Sequence, residues 1–198
     1  MLETLLIILL IIFIIIYKYK YKAPIKQVDA FDNNSYIVND LPDAQEASDT
    51  LAKIIKIINQ LVDNIINDYN NKIVNKEDKK YIKYVEIIKE RLPYVKISEN
   101  PTNSQYTSYS VNKGEELVLC IRDRKKYKIH PINELLYVTI HEIAHIGSPE
   151  IGHTKLFHDI NIYLLSKAIQ YGLYKYVDYN KDNKDYCGMV LQTTILNN

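Results

Sequence analysis

Two histidines four residues apart, His141 and His145, with Glu142 between them, are the residues of this chain best suited to chemistry. On a helix, positions i and i+4 lie one above the other on one face, so both imidazoles can reach a single metal ion. Glu142 then points to a neighbouring azimuth, where its carboxylate can hold a metal-bound water. Spacing of this H-E-x-x-H kind lets two imidazoles bind Zn2+ while the glutamate serves as general base in peptide-bond hydrolysis. A catalytic zinc needs a third protein ligand and one open position. The nearby candidates are Glu150, His153 and His158. A helix stop at Gly147 lets the chain turn back after His145, and His153, just behind Gly152, is best placed to swing over the metal. His158 would sit one turn into the next helix beside Phe157, and Glu150 is close to the turn.

With zinc in place, the scissile carbonyl is polarised and the pKa of water falls to about 7. Glu142 would take the water proton and later give it to the leaving amine. A phenol could assist the oxyanion, but the chain holds 18 tyrosines and the sequence does not rank them.

These residues need a scaffold. Pro131 suits the first turn of a helix from about 132 to 146, in which Leu136, Ile140, Ile143 and Ala144 supply a packing face. A further helix is expected from about 154 to 171, with Phe157, Ile160, Leu164 and Ala168 as its stripe. Upstream, Leu51, Ile54, Ile58, Leu61, Val62 and Ile65 recur at helical spacing after Pro42-Asp43. A second stripe, Tyr81, Ile82, Val85, Ile88 and Leu92, follows an Asn75 cap with Asp78 at the capping-box distance. Both read as scaffold helices.

Residues 105–121 switch to period two around the turn Asn112-Lys113-Gly114, a β-hairpin. Its second strand, Leu117 to Ile121, precedes the active helix and is the expected edge where substrate could add as a strand. The basic run Arg122 to Lys128 reads as a solvated connection. A short strand is expected near Tyr186–Leu191.

The 198 residues allow one domain with a true core plus accessory segments. Net charge is +1, so nucleic acid is a possible partner that charge does not indicate. Cys120 and Cys187 form no C-x-x-C pair; they could be two buried thiols or one disulfide, and since two cysteines make no disulfide-dense scaffold, thiols are the expectation.

Residues 4–17 form an almost unbroken apolar run without Gly, Pro or charge. Glu3 at its start and Lys18, Lys20 and Lys22 after it argue against a cleaved signal peptide. An uncleaved single-pass membrane anchor over 1–22 is expected, although the run is shorter than the usual span of about 20 residues. The lysines after it place the remaining domain on the cytoplasmic side or in a virion interior. Residues 23–41 read as a linker, 42–198 as the metallopeptidase domain, with scaffold helices over 42–97 and the catalytic core over 105–198.

The segments LVLCIRD, YVTIHEIAHI, GHTKLF and DYNKDNKDYCGM resemble the minimal zincin domain of the WLM and SprT-like metallopeptidases. The apolar N-terminus resembles membrane-anchored forms encoded by large DNA viruses. This resemblance implies an α+β zincin-like domain, with a small antiparallel sheet packed on helices, preceded by an N-terminal transmembrane helix. It implies a zinc endopeptidase acting on protein or peptide, with His141, His145 and His153 as ligands and Glu142 as the catalytic residue. Its relatives include proteases that cleave proteins crosslinked to DNA. A structural membrane or virion protein with an inactive zinc site is the reading from another class. His158, following Phe157 where an aromatic is often found, departs from the family pattern.

Overall fold

The computed structural model describes residues 4, 6–13 and 24–192. Helices α1 (Ala44–Asn70), α2 (Lys79–Arg91), α3 (Ile132–Gly147) and α4 (Lys155–Gln170) pack beside a five-stranded sheet. Its strands are β1 (Ile25–Asp29), β2 (Ser35–Asn39), β3 (Lys96–Glu99), β4 (Tyr109–Val111) and β5 (Glu116–Leu119), in spatial order β1-β2-β3-β5-β4. A separate hairpin joins β6 (Lys184–Tyr186) to β7 (Met189–Leu191).

The α+β class is as expected, but the sheet is mixed rather than antiparallel. β2 pairs β3 in parallel, and β3 pairs β5 in parallel, while the two outer pairs are antiparallel. Parallel neighbours need a long crossover, and α1 with α2 supplies it between β2 and β3. The expected linker over 23–41 is therefore corrected to a hairpin. Asp32-Asn33-Asn34 makes its turn, with Asn33 at φ 64° and the Asp32 carboxylate accepting from the Asn34 amide at 3.0 Å. Tyr36 and Val38 point into the core.

The helical stripes form one hydrophobic core. Leu51, Ile54, Ile58 and Ile65 of α1, Val85 and Ile88 of α2, and Phe157, Ile160 and Leu164 of α4 are fully buried. They surround α3, which is buried on nearly every face. Asn75 caps the turn before α2 by accepting from the Asp78 amide at 2.8 Å. Gly147 ends α3, but not through the left-handed C′ conformation expected of a terminal glycine. It is the last helical residue, and a Cβ there would lie 2.8 Å from Ile88 Cδ1 and 3.0 Å from the Tyr84 carbonyl oxygen. Its missing side chain lets α2 approach.

Two further expectations change. Cys120 and Cys187 form a disulfide with Cα atoms 6.3 Å apart, joining the segment after β5 to the β6–β7 turn. Arg122 is not part of a solvated connection: it is buried, and its guanidinium donates to Glu99 at 2.6 Å and to Asp43. Lys125 to Lys128 do face solvent.

The expected anchor lies largely outside the described residues. Within it, residues 6–13 are helical and expose their large apolar side chains, from 46% at Ile12 to 63% at Phe13. Among the described residues no helix is long and apolar enough to cross a membrane.

Candidate metal centre

Helix α3 carries His141 and His145 on one face, with ring centroids 5.1 Å apart. After α3 the chain turns through 148–154. The Lys113 ammonium holds this turn, donating to the Ser148 carbonyl at 2.8 Å and to that of Glu150. Gly152 sits at φ 81°, a backbone state that L side chains rarely adopt. This bend brings His153 back over α3.

Nε2 of His153 lies 3.0 Å from Nε2 of His141 and 3.2 Å from Nε2 of His145. Ligands about 2.0–2.1 Å from a tetrahedral zinc stand roughly 3.3 Å from one another, so the three nitrogens have the spacing of a metal triad. Phe157, fully buried on α4, is the floor: it stacks on His145 at 4.0 Å and meets His141 and His153 edge-on at 4.9 Å.

Burial pushes His141 down to about 3 and His145 down to about 4, with the neighbouring imidazoles adding to the effect. Both rings are then neutral at pH 7, the protonation state a metal requires. Donor type, spacing and protonation fit a zinc ion. Among the described residues His141, His145 and His153 are the group that could hold one. His158 is exposed with its ring 6.2 Å from that of His153, and Glu150 is exposed; neither joins the triad.

Glu142 is 7% exposed and faces the cleft beside the triad. Burial raises its carboxyl to about 7, against hydrogen bonds from the Ser110 side chain and backbone that favour the carboxylate. A group poised near neutrality can both accept and return a proton. The cleft has a volume of about 850 Å³ and mostly apolar walls. Strand β4 forms one side; Tyr186, Met189 and Leu191 of the β6–β7 hairpin also line it.

Three features were not read from the sequence. The expected edge, Leu117 to Ile121, is corrected: β5 lies between β3 and β4, so the sheet edge at the cleft is β4. Ser110 meets Glu142, and nothing local distinguishes it from Ser108. Asn161 approaches His141, its Nδ2 3.5 Å from Nδ1. A lone polar residue one turn after Phe157, inside an apolar stripe, was the available signal. Of the tyrosines, Tyr109, Tyr137 and Tyr186 line the cleft; Tyr186 shares a 2.7 Å hydrogen bond with the Ser108 hydroxyl.

No family model matches the chain. It is similar to "Uncharacterized protein R325" of Acanthamoeba polyphaga mimivirus, 40% identical over 164 residues that cover 83% of this chain and 80% of the relative. It is also similar to uncharacterized protein 136R of Invertebrate iridescent virus 6, 39% identical over 82 residues, 40% of this chain and 43% of that one. Protein 042R of Invertebrate iridescent virus 3 is 40% identical over 83 residues, 41% of this chain and 50% of its own length. Among solved structures, Wss1 from Saccharomyces cerevisiae aligns with 50% of this chain and 84% of its own at 21% identity and a TM-score of 0.35, a likeness too slight to carry a conclusion. The extended match to the mimivirus protein shows the kinship: the chain belongs to the family of mimivirus protein R325.

Proposed function

We propose that the protein is a zinc-dependent endopeptidase held at a membrane by its N-terminal segment. The observation that carries this reading is the convergence of three imidazole Nε2 atoms beside a buried, cleft-facing Glu142. Zinc held there by His141, His145 and His153 would supply a Lewis acid for the scissile carbonyl and would lower the pKa of the attacking water. Glu142 takes the proton of that water and delivers it to the leaving amine. Its burial beside Ser110 leaves it basic enough for the first task and acidic enough for the second. Strand β4 stands at the end of the sheet order, where an extended peptide could add alongside it, and the apolar walls favour large apolar side chains on that peptide.

The resemblance of HEIAH and GHTKLF to WLM and SprT-like metallopeptidases supports the same reading. The tether rests on residues 6–13, a helix apolar on every side with its side chains exposed. Such a helix is at home in lipid or a core, not in water. The lysines that follow favour a cytoplasmic or virion-interior domain.

The test is full-length protein in detergent and in anionic vesicles, assayed for zinc content and for casein cleavage beside Glu142→Gln. Expected are one zinc per chain, cleavage lost in Glu142→Gln and on chelation, and vesicle flotation. Equal cleavage by both proteins refutes the assignment of Glu142. Stoichiometric zinc without turnover on any substrate supports a structural role instead, and cleavage that requires added DNA points to crosslink repair.

A further inference from the structure

Asn161 lies one turn after Phe157 on α4 and is 1% exposed. Its carboxamide nitrogen stands 3.5 Å from Nδ1 of His141, while its carbonyl oxygen is buried without a hydrogen-bond partner. The two ends of an amide exchange places by a half-turn about the terminal bond, with little change in shape. The two orientations dictate opposite chemistry at His141.

With nitrogen toward the ring, His141 must accept at Nδ1 and carry its proton on Nε2. That atom faces Nε2 of His153 at 3.0 Å and would have no lone pair for a metal. With oxygen toward the ring, His141 donates Nδ1–H to Asn161. The buried carbonyl then gains its partner, and the Nε2 lone pair is directed where the other two Nε2 atoms converge.

We propose that Asn161 is the positioning residue of the metal centre. Its carbonyl accepts the Nδ1–H of His141, fixing the ring and the tautomer that leaves Nε2 free for the ion. Outer partners of this kind orient imidazole ligands and raise their basicity. The inference rests on the zinc reading of the triad and is independent of whether the protein cleaves peptides.

Zinc affinity of the full-length protein, measured by competition with a chromophoric chelator, tests it. Asn161→Leu removes the acceptor at similar volume, and Asn161→Asp keeps an acceptor. Asn161→Leu is expected to weaken zinc binding roughly 10- to 100-fold, whereas Asn161→Asp binds as tightly as wild type or tighter. Long-range 1H–15N spectra of the zinc-free wild type read the tautomer directly, which a purely structural asparagine would not set. An Nδ1–H signal from His141 is expected; Nε2–H overturns the proposal. Unchanged affinity in Asn161→Leu, or equal loss in both variants, also overturns it. Should Asn161→Leu not fold, the tautomer and the Asp variant decide. A wild-type chain that binds no zinc refutes the metal reading as well; zinc binding indifferent to Asn161 refutes this inference alone.

Discussion

Replacing Glu142 by Gln should stabilise the metal-free protein while abolishing the proposed cleavage, and the gain should depend on pH. Burial raises the Glu142 carboxyl from its ordinary 4.5 to about 7. A carboxyl whose folded pKa is raised favours the fold while protonated. Its ionisation in the unfolded chain begins near 4.5, so stability falls as pH rises from there and the penalty is complete above about 7. Each pKa unit corresponds to about 1.4 kcal/mol. The shift therefore costs the wild type about 3 kcal/mol at pH 8 and less than about 1 kcal/mol at pH 5. Glutamine carries no charge at either pH and retains a carbonyl to accept from Ser110. For a domain of this size, about 3 kcal/mol corresponds to roughly 6–12 °C in Tm.

The two shifted histidines act in the opposite sense. Their folded pKa values are lowered, so they weaken the fold as pH falls below about 6.5 toward their folded values near 3 and 4. That contribution is common to wild type and variant and cancels in the difference. Urea unfolding of both proteins with chelator, from pH 5 to 8, measures it. A difference that does not grow with pH, or a Gln variant less stable at pH 8, would refute the burial argument. With zinc bound the gain should shrink, because the cation favours the carboxylate.

Three other outcomes follow from particular contacts. His153→Ala should abolish tight zinc binding while His158→Ala leaves it within a few-fold, as read by metal content after dialysis, since only His153 joins the triad. Reducing the Cys120–Cys187 bridge, which spans 67 residues, should cost about 4 kcal/mol on chain-entropy reasoning, seen as a lower urea midpoint with reductant. Gly147→Ala should destabilise by about 1–3 kcal/mol through overpacking against Ile88 and the Tyr84 carbonyl, whereas an ordinary exposed C′ glycine would lose no such packing.

What the sequence determined by itself was everything carried by local period and spacing. The i, i+4 histidines, the four helices and the 109–119 hairpin were legible because 3.6- and 2-residue repeats directly report which face is buried. The return of His153 was legible because it follows a helix end by few residues, although Gly152 rather than Gly147 supplies the left-handed bend. Tertiary structure alone decided the rest. Strand β1 buries almost none of its side chains, so it carries no two-residue period, and the pairing of β2 with β3 joins residues about 60 positions apart, so no local pattern announces the mixed sheet. The disulfide depends on where two distant loops meet. Burial made the difference at the site itself: the motif named Glu142, but its pKa near 7 comes from the walls around it. The partner of His141 comes from another helix altogether, because hydrogen bonding is set by proximity in space, which spacing along the chain does not encode.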